Sequence, residues 1–375
     1  MSFSISPVQN SKDTLRFIKS QWNFYRNDPN WVPPLIMDRK KLLDTKGNPL
    51  YKHSQIQCFL AIENGEVIGR IAAIYNGNHI AVHNDGVGFF GFFECINNQE
   101  VANELMKVAT EWVKAKGCTS IRGPVNPTLN DETGLLVEGY DSAPIILMCY
   151  NPPYYEELLL TSGLQKVKDL YAYYINFETF MTEKMIRVQG LIRERKGITI
   201  RKIDLKNKVQ FKKDVEFLRD IYNNAWQPNW GFVRMTDDEF DYLANDLKQI
   251  ANPNLILLAE VKGKPAGFVV GLPNVNDALK HNSSGGLITG IWHLLTKLKK
   301  SNWGRLPIMG VLPEFQKTGL DAVLYHDIGV ETKKLNILHW EASWILEDNV
   351  MMNRAMTESM NGKRYKTYRL YEKTI

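Results

Sequence analysis

Apolar and polar positions along this chain follow one succession of elements, and they follow it twice. Ile198-Thr199-Ile200-Arg201-Lys202-Ile203 alternates with the period of a half-buried strand, and residues 3–7 open the chain in a similar way. Helical periodicity follows at 12–25 and again at 211–225. Each half then shows a hairpin, 57–63 with 67–75 and 255–261 with 265–272. Asn64-Gly65 is a strong tight-turn signal in the first hairpin, Lys262-Gly263 a weaker one in the second. Next come an apolar strand (87–95; 306–313), a helix (99–116; 319–334), a strand (118–122; 336–344), a helix (152–162; 349–360) and a final strand. Residues 176–197, polar and helix-prone, read as the joint between the halves.

Short motifs repeat in the same order. Pro29-Asn30-Trp31 returns as Pro228-Asn229-Trp230. Leu60-Ala61-x3-Gly65-x3-Gly69 returns as Leu258-Ala259-x3-Gly263-x3-Gly267, and Asn151 ahead of its helical run matches Asn349 ahead of another. Solenoid repeats run to roughly 20–50 residues, so the interval of 258 − 60 = 198 residues between Leu60 and Leu258 marks duplication of a whole domain. The pattern predicts an α/β fold, an α+β mixed sheet present as two tandem copies. The first copy spans 1–178, a linker helix 179–197 and the second copy 198–375. Gly91 aligns with Gly310, so the second half carries extra residues ahead of that point. The first half instead carries a long excursion from Gly123 to Cys149. Both insertions read as loops on a common core, where function tends to be added.

Composition narrows the class. A chain of 375 residues that is 44% hydrophobic and 23% charged can bury two ordinary cores. Met1-Ser2-Phe3-Ser4-Ile5-Ser6 lacks a basic region followed by an apolar run, and no stretch approaches the roughly 18 apolar residues of a membrane span. Cys58, Cys95, Cys118 and Cys149 are scattered without metal-ligand spacing. Reduced, packed thiols, no metal site and a cytoplasmic location are expected. A formal net charge of +5, with no basic run interleaved with aromatics, argues against nucleic acid and suits an anionic ligand.

The element order, together with Val311-Leu312-Pro313-Glu314-Phe315-Gln316-Lys317-Thr318-Gly319-Leu320-Asp321, resembles the GNAT superfamily of acyl-CoA-dependent acyltransferases. The family's cofactor loop reads Gln/Arg-x-x-Gly-x-Gly/Ala at the end of its fourth strand. Backbone N–H groups at a helix N-terminus bind a pyrophosphate there, and glycines let the backbone approach. The resemblance implies acetyl-CoA or a longer acyl-CoA as donor, held by Val311, Leu312, Gln316, Lys317, Thr318, Gly319, Leu320 and Asp321. Asp321 departs from the pattern by placing a carboxylate where Gly or Ala is usual. The equivalent stretch of the first half, Glu94 to Ala102, contains no glycine, which makes the first copy a scaffold, a dimer-like partner or an acceptor platform. Asn349 resembles the family's asparagine that reaches the pantetheine arm, and it reads equally well as a helix N-cap. The tyrosine that in many relatives protonates the leaving thiolate is replaced by Met356, and by Leu158 in the first half. Another group, solvent or backbone donors must then serve.

Attack of an amine on a thioester needs a proton acceptor. Glu341 on the fifth strand, His339 with the same parity, and Glu94 at the end of the matching first-half strand are the candidates. The excursion holds the densest polar set, from which Asn126, Asn130 and Glu132, with the following Tyr154, are expected to bind the acceptor. In the second insertion, Gly286 to Lys300 has apolar residues at helical spacing and a basic end. Three readings stay open there: an acyl-chain tunnel, a weak membrane-surface contact through 286–300, or packing on its own domain. The leading expectation is an N-acyltransferase for a small-molecule or lipid-like amine. A non-catalytic ligand-binding or assembly protein of the same fold and a lipid-directed acyltransferase stand as alternatives, as monomer or homodimer.

Overall fold

A computed structural model describes residues 3–181 and 183–375. The first half supplies strands β1 (Ser4–Pro7), β2 (Ser54–Glu63), β3 (Glu66–Asn76), β4 (Val87–Cys95), β5 (Ser120–Gly123), β6 (Val125–Asn126), β7 (Glu132–Thr133), β8 (Leu135–Glu138) and β9 (Gln165–Asn176). The second half supplies β10 (Ile198–Lys202), β11 (Ile256–Val261), β12 (Lys264–Pro273), β13 (Trp303–Val311), β14 (His339–Leu346) and β15 (Lys363–Thr374).

The chain forms two compact units, and their make-up differs from a division into 1–178 and 198–375. The first unit joins Met1–Leu170 with Ala278–Leu295 and Lys366–Ile375; the second is Tyr171–Asp277 with Thr296–Tyr365. The last strand of each half is therefore divided between the units, 171–176 of β9 falling in the second and 366–374 of β15 in the first. The physical reason is a sheet edge: a fifth strand without a neighbour exposes a row of unpaired N–H and C=O groups. In the first unit β15 covers that edge, pairing antiparallel with β5 from Tyr371↔Gly123 to Thr374↔Ser120. In the second unit β9 follows β14 in the strand order. The insertion Ala278–Leu295 joins the first unit through its carbonyls, with the Trp22 side chain donating from Nε1 to Ser283 O (2.5 Å) and Ile36 N donating to Gly285 O (3.0 Å).

Within the first unit the order is β1-β2-β3-β4-β5-β15, antiparallel except for the parallel β4–β5 pair. All nine residues of β4 are buried, which is why its sequence is almost continuously apolar rather than alternating. The helix Gln99–Lys114 lays Val101, Ala102, Leu105, Met106, Ala109 and Val113 on the sheet, at the spacing of one helical face. Each large apolar side chain buried this way contributes about 1.5–3 kcal/mol. In the second unit the order is β10-β11-β12-β13-β14-β9, with β13–β14 the parallel pair. Its helix Leu320–Lys334 buries Leu320, Val323, Leu324 and Ile328 in a core that also holds Trp340 and Leu257.

The linker helix expected at 179–197 is present as Glu183–Lys196, residue 182 lying outside the described residues. It packs on Leu320–Lys334, where Arg193 pairs with Asp327 at 2.5 Å. Helices at Ile36–Leu42, Gly77–His83 and Asp237–Leu247 were not indicated by periodicity. The last of them starts with a capping box between Thr236 and Glu239.

Candidate functional site

In the second unit β13 and β14 pair in parallel only from Trp303↔His339 to Leu306↔Ala342. Pro307 follows, which has no N–H to donate, and the two strands part. The gap opens into a groove of about 420 Å³ between Pro307–Val311 on one strand and Ala342–Leu346 on the other. Helices close it with Tyr325, Met351, Met352 and Met356, and Trp226, Pro228 and Asn229 border it. Pro228-Asn229 is the second copy of the repeated motif. Four thioethers line this groove (Met309, Met351, Met352, Met356), and methionine adapts its shape to an apolar ligand at little strain.

The loop at the mouth brings together most of the expected cofactor residues. Val311, Gln316, Lys317, Asp321 and Asn349 line the groove; Leu312, Thr318, Gly319 and Leu320 belong to the same turn without lining it. Lys317 (φ 58°) and Gly319 (φ 86°) both adopt left-handed backbone, and no side chain caps the helix that Gly319 starts. Successive N–H groups in such a turn form an anion-binding concavity, strengthened by the helix dipole. Gly319 is required here. A Cβ would sit 2.5 Å from Ile192 Cδ1, in addition to the strain of the positive φ. Asn349 is an N-cap, accepting from Met352 N at 3.1 Å through Oδ1.

Sequence reasoning missed Tyr325. It sits one turn beyond Asp321 on the same helix, is 6% exposed, and is the one phenol among the described groove residues. Burial, then the charge of Asp321, pushes its hydroxyl well above the usual tyrosine range, so it stays protonated. Only the packing of this helix over the strand gap turns an ordinary helical tyrosine into a group facing the groove.

Glu341 and His339 lie on β14 as expected, outside the groove lining. Glu341 is fully buried and accepts hydrogen bonds from the Ser343 and Tyr365 hydroxyls. Arg305 in turn donates to Ser343 Oγ at 2.9 Å and Ser343 O at 3.1 Å. His339 Nδ1 meets the Tyr174 hydroxyl at 2.7 Å, and the Tyr174 and Tyr365 rings pack edge to face at 6.4 Å. The two predicted residues thus share a face and a continuous polar cluster.

In the first unit the equivalent gap is filled by the chain itself. β4 and β5 pair only from Val87↔Ser120 to Phe89↔Arg122, after which β6 enters the space. A Cβ on Gly91 would lie 1.6 Å from Val125 O, and Phe92 N donates to Asn126 Oδ1 at 2.6 Å. The helix that would face a phosphate is closed by Asn98, whose side chain accepts from Val101 N at 3.1 Å. Asn151, the sequence partner of Asn349, instead binds the backbone of β8, accepting from Leu136 N at 2.7 Å and donating to Leu136 O at 3.1 Å.

What the first unit offers is a small polar pocket. Glu94, 4% exposed, accepts from Gln21 Nε2 (2.7 Å), Tyr25 OH (2.8 Å) and Tyr155 OH (2.8 Å) and pairs with Arg70 at 3.3 Å. Burial raises the Glu94 carboxyl above its ordinary range against the opposing pull of Arg70. Burial, with the Glu94 charge behind it, holds the Tyr25 and Tyr155 phenols protonated. A second pair, Arg39 with Glu132 at 2.8 and 2.9 Å, faces the same pocket, as do Asn126, Cys149 and Tyr150. Of the expected acceptor residues, Asn126 and Glu132 come together with Glu94. Asn130 is exposed in a turn, and Tyr154 is spent on Cys95 O at 2.8 Å. Arg39 and Arg70 escaped sequence reasoning because nothing near them in the chain marks them. Trp31 of the repeated motif stacks on Tyr25 at 5.1 Å.

Comparison with known proteins agrees with this architecture. No protein-family model matches the chain. Protein YghO of Escherichia coli is 35% identical, covering 98% of this chain and 94% of its own length. A protein of Caulobacter vibrioides named bacterial ceramide synthase is 34% identical, covering 99% and 97%. Among solved structures, a tandem GNAT protein from the clavulanic acid biosynthesis pathway superposes with a TM-score of 0.60 over 100% of this chain and 98% of its own, at 10% identity. With two strands parting over a groove in one copy and the same gap plugged in the other, the chain has the tandem GNAT fold, and it belongs to the family of these two bacterial proteins.

Proposed function

We propose that the protein transfers an acyl group from an acyl-CoA thioester to a lipid-like amine, with the thioester in the groove of the second unit. The observation that carries this is the parting of β13 and β14 beyond Leu306↔Ala342, directly in front of the uncapped helix at Gly319. Strand edges there have hydrogen-bonding groups to spare for an extended amide-bearing arm, while the loop N–H groups and Lys317 suit its phosphates. The thioether-rich lining suits a long acyl chain, and a relative of 34% identity bears the name of a ceramide synthase.

In the proposed reaction the neutral amine attacks the thioester carbonyl, a proton leaves the nitrogen, and the C–S bond breaks as the thiolate takes up a proton. Tyr325 is the proposed donor to sulfur. Glu341, reached from the groove through the Ser343 hydroxyl, is the proposed acceptor of the amine proton.

Calorimetric titration with acetyl-CoA and palmitoyl-CoA tests the assignment, alongside Ala355→Trp to fill the groove and Lys317→Glu to repel phosphate. Tight binding of palmitoyl-CoA that both variants weaken is expected. Equal binding by wild type and both variants would remove the thioester from this groove. Binding without transfer to long-chain amines would leave a ligand-binding protein of the same fold.

A further inference from the structure

The helix Leu287–Lys297 of the second insertion is packed the wrong way round for a surface helix. Such helices turn apolar residues inward and polar ones to water. Here the inward contact is made by Gly290, which is buried. Its backbone lies so close to the first unit that a Cβ would come 2.6 Å from Leu35 Cδ2 and 3.0 Å from Asn282 Nδ2. His293 and Leu294 are half-buried beside it. The apolar side chains point out: Leu287 is 40% exposed, Ile288 84%, Ile291 47%, Trp292 58% and Leu295 74%. At 100° per residue these five form one continuous face about 140° wide.

The orientation is held by hydrogen bonds at the start of the helix. Thr289 Oγ1 donates to Asn282 Oδ1 at 2.7 Å, and Asn282 Nδ2 donates to Gly286 O at 2.9 Å. Charge then indicates what covers the face. From Gly286 to Lys300 there is no acidic residue, and the helix ends in Lys297 with Lys299 and Lys300 following in the chain. A second copy of this face would bring no carboxylate to meet these lysines. An anionic surface meets both the apolar stripe and the positive end. No helix among the described residues is long and apolar enough to cross a membrane, so the fitting arrangement is a helix lying in the plane of the interface.

We propose that this helix docks the protein on an anionic lipid bilayer, inserting Leu287, Ile288, Ile291, Trp292 and Leu295 at the boundary between headgroups and acyl chains, with Lys297, Lys299 and Lys300 on the headgroup phosphates. This docking is independent of the acyl-transfer assignment.

The test is co-sedimentation of the full chain with vesicles of phosphatidylcholine alone and of phosphatidylcholine mixed with phosphatidylglycerol. Binding to the mixed vesicles that weakens as salt rises is expected. Ile288→Glu/Leu295→Glu should lower partitioning at least about tenfold, and each of Lys297→Gln, Lys299→Gln and Lys300→Gln about fivefold. All five positions are on the insertion rather than in either core, and circular dichroism checks that each variant is folded. Failure of the wild type to bind mixed vesicles, or unchanged binding by Ile288→Glu/Leu295→Glu together with the lysine variants, overturns the proposal. So does a concentration-dependent dimer in sedimentation velocity that Ile288→Glu/Leu295→Glu abolishes while vesicles are ignored; that result assigns the face to a second copy. Palmitoyl-CoA titration of the same variants should be unchanged, which keeps a failure of docking distinct from a failure of the groove assignment.

Discussion

Glu94 and Arg70 provide a quantitative test of the first unit. Their side chains are 5% and 4% exposed, and the guanidinium also donates to the Phe17 carbonyl at 2.6 Å and the Ile18 carbonyl at 3.4 Å and lies 4.8 Å from the Phe17 ring. Removing the carboxylate leaves a positive charge out of water, a change that costs about 3–5 kcal/mol when a buried pair loses one partner. Glu94→Gln preserves shape and some of the hydrogen bonding from Gln21, Tyr25 and Tyr155, so about 3 kcal/mol is expected. Glu94→Ala adds orphaned donors and a cavity and should cost about 5 kcal/mol. Arg70→Met leaves a carboxylate with three neutral donors, for about 3 kcal/mol. The double variant Glu94→Gln/Arg70→Met removes both charges at once and should fall short of the summed singles by at least about 2 kcal/mol. Urea unfolding followed by tryptophan emission and by circular dichroism measures all four proteins. Singles that add to the double within about 0.5 kcal/mol, or a Glu94→Gln cost below about 1 kcal/mol, would refute the account of Glu94 as the hub of a buried charge network.

Three further outcomes are expected. Asp321→Ala removes a carboxylate that lines the groove mouth and should tighten palmitoyl-CoA binding about fivefold to tenfold at low salt by calorimetry, roughly 1–1.4 kcal/mol; weaker binding would place the phosphates elsewhere. Tyr325→Phe should lower kcat about tenfold to a hundredfold, leaving KM for the thioester nearly unchanged; an unchanged kcat removes Tyr325 as proton donor. His79, 1% exposed beside Asp85, is depressed from 6.5 to about 4, chiefly by burial. The unfolded chain therefore binds the extra proton first, and the contribution of neutral His79 to stability is lost as pH falls from 6.5 toward 4, by up to about 1.4 kcal/mol per pH unit. Urea midpoints across that window should show the slope in the wild type and a flatter line in His79→Gln.

Much of the architecture was legible in the sequence because periodicity and turn chemistry are local. The alternation at Ile198–Ile203, the turn at Asn64-Gly65 and the helical spacing of Val101, Leu105 and Ala109 each describe one stretch of backbone, and the structure has those elements where the spacing puts them. The loop from Gln316 to Gly319 was legible through its resemblance to the family's cofactor loop, and its glycine stands where the helix starts with left-handed backbone.

The tertiary structure decided what depends on residues far apart in the chain. Which strand covers an exposed sheet edge is settled by hydrogen-bond pairing across the whole fold, and β15 rather than β9 completes the first unit. Volume decided that Val125 fills the gap beside Gly91 while the matching gap at Gly310 stays open. Burial gathered Arg70 and Arg39 around Glu94 and Glu132, although no spacing in the sequence relates them. For the helix Leu287–Lys297, the sequence determined that an apolar stripe exists. Only the close approach of Gly290 to Leu35 determined that the stripe faces outward, because amphipathic spacing specifies a face but not the surface that face will meet.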